Sequence, residues 1–188
     1  MLEFGADRGT LLIGAIALLA LERGAELIVS HRNLARLKAN GTPCMASSSA
    51  AEYSAMVVVH VLFLAAPWIE FSLRGERPIP WYAYAAIAAL LAAQGLRWWT
   101  IWTLGPRWNA PAVVAPSLGA VHGGPYRFLR HPNYLAVALE FAALPWVGGT
   151  WYSGAVLFAA NALLLARRKR QEEGLLAQVP GWSAGFER

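Results

Sequence analysis

The stretch PNYLAVALEFAALPWVGGTWYSGAVLFAANALLLARRKR, residues 132–170, reads as two apolar helices joined by a tight turn and closed by a basic run. The first helix follows Pro132 to about residue 147, and the second covers 151–166. Gly148-Gly149 between them marks a hairpin. A membrane helix needs about 20 mainly apolar residues to cross roughly 30 Å of hydrocarbon. Three more stretches qualify upstream. Residues 10–30 form one, interrupted by Glu22, Arg23 and Glu26. Residues 53–73 form the second, with His60 inside and Glu70 near its end. The third starts after Pro80 and runs to about 104, with Gln94 and Arg97 in its later half. The expected fold is all-α: an integral membrane bundle of about five transmembrane helices.

Composition agrees. The chain has 188 residues, 57% hydrophobic and 14% charged, against about 25% charged in a soluble domain. That length allows one domain, and so little charge excludes an intrinsically disordered chain. Cys44 is the single cysteine, which excludes a secreted disulfide scaffold. The net charge of +5 does not indicate nucleic acid, because the basic residues sit between apolar runs as in a membrane protein. Glu3 and Asp7 stand where a signal peptide would be basic, so no cleavable signal is expected. No internal repeat is present, nor any low-complexity tract beyond Ser47–Ser49.

Orientation follows from the basic residues. Arg32, Arg36 and Lys38 follow the first helix, Arg107, Arg127 and Arg130 the third, and Arg167, Arg168, Lys169, Arg170 and Arg188 the fifth. These are eleven of the 16 Lys and Arg residues, all on one side of a five-helix bundle. Arg8, Arg74 and Arg77 fall on the other side, and Arg23 and Arg97 within helices. The positive-inside rule then places the N-terminus outside and the tail in the cytoplasm.

Polar residues in a bilayer are costly and face protein or water. Glu22 and Glu26 share a helix face, with Arg23 three residues before Glu26 as its neutralising partner; an internal ion pair that fixes helix packing is the expected arrangement. Arg97 either snorkels to the interface among Trp98, Trp99 and Trp102 or faces a binding cavity. His60 is expected as a packed, hydrogen-bonded residue. Nothing has metal-ligand spacing, and no phosphate loop is present.

Residues 123–134, GGPYRFLRHPNY, are the most informative segment. Pro132 suits the first turn of a helix, so Asn133, Tyr134 and the nearby amides lie at a helix N-terminus, which favours a carboxylate or another anion. A juxtamembrane topology signal would explain Arg127 and Arg130, but not the density of Gly, Pro, Tyr and His. Residues 167–173, RRKRQEE, place Arg168 and Glu172 on one helix face. Basic residues after a membrane helix are ordinary stop-transfer charges; Glu172-Glu173 are not. The short hairpin brings the two segments together, so Arg130, His131, Arg168 and Glu172 form a mixed-charge site suited to a zwitterionic ligand.

These residues resemble a known family. GPYRFLRHPNY, then Glu140, then Arg168 with Glu172 and Glu173, is similar to the isoprenylcysteine carboxyl methyltransferase family, and RWWTIWTLGPRWN (97–109) resembles its bacterial branch. The terminal GWSAGF is similar to the family's aromatic-glycine ending. The resemblance covers about residue 90 to the end. It implies one methyltransferase domain over residues 1–188, with three N-terminal transmembrane helices in 1–104. Residues 105–188 would be the catalytic part, with the helical hairpin and the cytoplasmic tail. It implies S-adenosylmethionine held in a cytoplasmic cap and a lipophilic or lipidated methyl acceptor entering from the bilayer. By analogy, Leu118, Gly119, Ala120 and Val121 contact the cofactor through backbone; the family commonly has a histidine where this chain has Leu118. Tyr126, His131, Pro132, Asn133, Tyr134 and Glu172 complete its binding. Arg168 faces the acceptor, with Arg130 and Arg97 as further substrate-binding candidates.

An oxygen nucleophile must then be aligned with an activated methyl group. A carboxylate needs only a cation such as Arg168, whereas an enol or phenol benefits from a base, for which Glu140, Glu172 and His131 are the candidates. Two other classes compete: a nicotinamide-dependent membrane reductase of the sterol-reductase type, and a non-enzymatic scaffold or transporter. The expected location is the cytoplasmic membrane, multi-pass, with the active site facing the cytoplasm. Reporter fusions after Lys38, Gly75, Gly119, Gly149 and Arg188 are expected to alternate in, out, in, out, in; Gly119 and Arg188 on opposite faces would defeat this topology.

Overall fold

The computed structural model describes residues 7–182. Five helices carry the fold: α1 (Arg8–Ala39), α2 (Ala50–Arg74), α3 (Trp81–Leu104), α4 (Pro132–Gly148) and α5 (Trp151–Leu176). The two-residue strands β1 (Met45–Ala46) and β2 (Val113–Val114) pair antiparallel. The helix starts have local causes. The side chain of Asp7 accepts from the amide of Thr10 at the head of α1, and Ser49 and Glu52 form a reciprocal capping box on α2.

Two helices outrun the sequence reading. α1 continues nine residues past 30, and α5 continues ten past 166, so RRKRQEE lies on helix rather than in a tail. The apolar pattern stops in both places, but other contacts continue: Asn33 in the added turns of α1 donates to the carbonyls of Gly105 and Trp108, and Lys169 meets Glu173 on α5.

By length and composition, α2 alone among the described helices passes as a membrane span, with a mean hydropathy of 1.9 over its best window. The others fall short for visible reasons. α1 carries Glu22, Arg23 and Glu26 at its centre, α3 carries Gln94 and Arg97, α4 has 17 residues, and α5 ends in the basic run. The surface is nevertheless apolar along several helices: Leu21, Leu73, Trp81, Trp102, Tyr152, Val156 and Leu163 are each more than two-thirds exposed.

The α4–α5 turn is tied from outside. Gly149 adopts φ +68°, a conformation that favours glycine. Gly154 lies against the Pro145 ring, where a Cβ would collide. At the end of α4, Arg8 donates to the carbonyls of Val147 (2.9 Å) and Trp146 (3.2 Å). Arg74 donates to that of Gly149 (3.0 Å). Glu70 accepts the amides of Tyr152 (3.3 Å) and Ser153 (2.7 Å), the orphan donors that begin α5. Tyr82, Trp146 and Trp151 cluster at this end.

The opposite end gathers β1, β2 and the segment between α3 and α4. Ten of the eleven grouped basic residues fall at this end by their positions in the chain, and the eleventh, Arg188, lies outside the described residues.

Between the ends, Phe63 stacks on Phe141 with centroids 3.9 Å apart, in a core that includes Leu12, Leu19, Leu90, Leu144 and Val147. Charges cross that core. Glu140 of α4, with no solvent exposure, accepts from Gln94 (2.7 Å) and Arg97 (2.8 Å) of α3 and from Arg23 of α1. Arg97 also pairs with Glu26 (3.2 Å), which Arg23 holds at 2.9 Å. Two guanidiniums and two carboxylates thus neutralise one another. Glu22 stands apart and accepts from the indole of Trp98. Removing one partner leaves an uncompensated buried charge, so Glu140→Ala is expected to lower stability by about 3–5 kcal/mol. Thermal unfolding in one detergent would read this, and a variant melting like the parent would show that the network does not hold the bundle.

Candidate active site

The 105–131 segment folds over one end of the bundle through three short 3-10 turns, Gly105–Arg107, Pro116–Leu118 and Gly124–Arg127. The extension of α1 anchors it. Asn33 donates to the carbonyls of Gly105 (3.0 Å) and Trp108 (2.8 Å), and Ser30 accepts the amide of Ala110 (2.9 Å). Asn109 closes its own loop by accepting from the amide of Val113 and donating to its carbonyl. Arg107 donates to the carbonyl of Leu118.

Where α4 begins, His131 stacks on Tyr134 with centroids 5.2 Å apart. The helical run of RRKRQEE meets both rings: Glu173 Oε1 lies 2.9 Å from His131 Nε2, and Glu172 accepts from the hydroxyl of Tyr134. One turn earlier, Arg168 donates to the carbonyl of Ala110 and lies 2.8 Å from the Met56 sulfur. Its Nε is buried without a hydrogen-bond partner, as is that of Arg107. Burial, and after it the Glu172 carboxylate, hold the Tyr126 phenol above its ordinary pKa, so it stays a hydrogen-bond donor.

Two clefts meet here. A polar one of about 130 Å³ is lined by Gly119, Ala120, Val121, Tyr126, Arg130, His131, Asn133, Tyr134, Arg168 and Glu172. A more apolar one of about 200 Å³ runs along α2 past Tyr53, Met56, Val57, His60, Val61 and Leu64, with Arg23, Glu26 and Arg97 also in its wall. Trp108, Asn109, Asn133, Tyr134 and Arg168 line both clefts.

Most of the residues expected at the site therefore converge. Arg130, His131, Arg168 and Glu172 share the polar cleft as the mixed-charge reading anticipates. Leu118 and Pro132 stand behind the lining: the Leu118 carbonyl is held by Arg107, and Pro132 is the buried first residue of α4. Of the two arrangements open to Arg97, the structure takes the inward one: it is 1% exposed because Glu140 and Glu26 draw its guanidinium inward. It reaches the apolar cleft but not the polar one. Glu140 lines neither cleft, and its oxygens are engaged by Arg23, Arg97 and Gln94, so the catalytic role expected of it gives way to that of a buried counter-ion.

Sequence reasoning missed the α2 wall, because Tyr53, Met56, Val57, His60 and Leu64 follow the same helical spacing as a lipid-facing stripe. It also missed Glu173 as the partner of His131. Trp108 and Asn109 were within reach, since both lie in the block 97–109. Of GWSAGF, only Gly181 and Trp182 fall among the described residues. No cluster of three or more His, Cys, Asp or Glu suited to a metal occurs among the described residues.

Comparison with known proteins runs through the same segments. The family model described as the isoprenylcysteine carboxyl methyltransferase (ICMT) family matches residues 86–178. The uncharacterized protein YpbQ of Bacillus subtilis is 31% identical over 163 residues, which is 87% of this chain and 95% of that relative. No solved structure matches. The matched region holds both the GPYRFLRHPNY turn and the Arg168–Glu173 run whose side chains meet across the polar cleft, and the chain belongs to the isoprenylcysteine carboxyl methyltransferase family.

Proposed function

We propose that the protein transfers a methyl group from S-adenosylmethionine to an oxygen (carboxylate, enol or phenol) of a lipophilic acceptor, at the cytoplasmic face of a membrane. The observation that carries this reading is the position of Arg168, whose side chain lines the polar and the apolar cleft at once. All five helices cross the bilayer in this reading. The apolar outer surface, the inward-facing charges and the grouping of basic residues at one end support it.

The residues present suit the cofactor. Its ammonium calls for a carboxylate, and Glu172 lines the polar cleft. Its carboxylate calls for cations or helix amides, and Arg130 and the first turn of α4 line the same cleft. Gly119, Ala120 and Val121 offer backbone to the rest, with Gly119 at φ +70°. Tyr126, His131, Asn133 and Tyr134 complete the wall. When bound, S-adenosylmethionine supplies a methyl group activated by its positively charged sulfur.

The remaining work falls to this chain's residues. Arg168, which lines both clefts, is the cation that positions the acceptor oxygen. Trp108, Asn109 and Tyr134 exclude water where the clefts join, which strengthens that contact. Arg23 and Arg97 act on the acceptor only as wall of the apolar cleft. Burial of the acceptor's chain along α2 supplies affinity at about 0.8 kcal/mol per CH₂.

Calorimetry in nanodiscs is expected to show binding of S-adenosylmethionine and its demethylated product, and no binding of NADPH; the reverse pattern would point to the reductase class. Within one preparation series, Glu172→Gln is expected to weaken cofactor binding by about 1.5–3 kcal/mol, the worth of a charge-assisted hydrogen bond. Arg168→Ala is expected to leave cofactor affinity nearly intact while methyl transfer collapses, with poor rescue by lysine, which lacks the planar fork. Equal losses of cofactor affinity in the two variants would reduce Arg168 to a support for Glu172.

A further inference from the structure

We infer that His60 is the general base of the reaction, and that the natural acceptor therefore carries a protonated oxygen, a phenol or enol hydroxyl, rather than a carboxylate. This deepens the methyltransferase reading above and rests on it. His60 projects from α2 into the apolar cleft. Its Nδ1 lies 2.8 Å from the carbonyl of Met56, one turn back. A carbonyl oxygen only accepts, so the neutral ring keeps its proton on Nδ1 and presents a lone pair at Nε2. That nitrogen has no hydrogen-bond partner among the described residues. Phe141 packs edge-on at 5.3 Å and fixes the ring plane.

The other acid–base groups near the cleft junction are committed. Glu140 is held by Arg23, Arg97 and Gln94; Glu172 accepts from Tyr134; His131 pairs with Glu173. Met56 also links His60 to the junction, because its carbonyl orients the imidazole while its sulfur touches Arg168 Nη1. Arg168 lines the same cleft as His60, so an acceptor oxygen seated there is offered both side chains.

In the step itself, the acceptor O–H gives its proton to His60 Nε2 while an oxygen lone pair forms the new O–CH₃ bond. The CH₃–S bond breaks and its electron pair stays on sulfur, which becomes neutral. The positive charge lost by sulfur reappears on the imidazolium. The charged groups that act on it are Arg23 of α1, Arg97 of α3 and Glu140 of α4, and Glu26 and Arg168 line the same cleft. A carboxylate acceptor would give this base nothing to do.

The test uses the full-length protein in nanodiscs with methyl-labelled S-adenosylmethionine. The acceptors are a long-chain alkylphenol and a fatty acid of equal chain length. The parent is expected to methylate the phenol in preference. His60→Phe preserves the edge contact to Phe141, and His60→Gln preserves a donor to the Met56 carbonyl. Both are expected to lose phenol methylation by about 10²–10⁴-fold in kcat, the range of general-base catalysis, with KM and cofactor affinity held. Parental turnover of the phenol in either variant would overturn the proposal. So would preference of the parent for the fatty acid, or a matching loss of cofactor affinity in the variants, which would make His60 a packing residue. A parent that does not bind S-adenosylmethionine at all would remove the methyltransferase reading and this proposal with it, an outcome separable because it needs no substitution.

Discussion

One carboxylate sets the arrangement of the bundle. Glu140 is sealed from solvent in the middle of α4, and an isolated charge there would be prohibitive. Its oxygens therefore fix where α1 and α3 lie, because Arg23, Arg97 and Gln94 must all reach it. Glu26 balances the second guanidinium, so the cluster is neutral as a whole. A hydrophobic core tolerates sliding by a fraction of a turn, whereas directional hydrogen bonds from three side chains to one carboxylate do not. The cost of burying such a network is large, and what it secures is the rotation of three helices about their axes. The wall of the apolar cleft inherits that rotation, since Arg23, Glu26 and Arg97 are part of it.

The candidate site sits one layer further toward the end where the basic residues gather. It depends on α1 and α5 continuing beyond their apolar stretches. The added turns of α1 present Ser30 and Asn33 to the segment that follows α3, and the added turns of α5 present Arg168, Glu172 and Glu173 to the start of α4. A polar cleft and an apolar one can then share a wall. Asn133 and Tyr134 belong to both, and the two chemistries a methyltransferase must join are brought within one side chain of each other.

Much of this was legible in the chain. The five helices follow from apolar runs separated by Gly, Pro and charge. The polar cleft follows from two motifs joined by a hairpin too short to let them separate. What escaped is what depends on distant partners. Glu140 reads as a candidate base through the family resemblance; the arginines that engage it stand 43 and 117 positions away. For Arg97 the sequence leaves snorkelling and a cavity role open, because three tryptophans surround it; the buried carboxylates of Glu140 and Glu26 decide for the inward position. The α2 wall is invisible because Met56 and His60 repeat at the helical spacing that lipid contact also produces. The outer ends of α1 and α5 escape a hydropathy reading since their stability comes from ion pairs and tertiary anchors.

The caps on the α4–α5 turn bear on the order in which the protein is made. The carbonyls that end α4 and the amides that begin α5 are satisfied by Arg8, Glu70 and Arg74, all from the two helices synthesised first. When the hairpin leaves the ribosome, its partners have already been translated and wait at the place it must dock. Within the turn itself, the Ser153 hydroxyl adds a hydrogen bond to the carbonyl of Thr150. A chain rearranged so that α4 and α5 were translated before α1 and α2 would expose those backbone groups until the arginines and glutamate arrived, so this architecture favours vectorial assembly from the N-terminus.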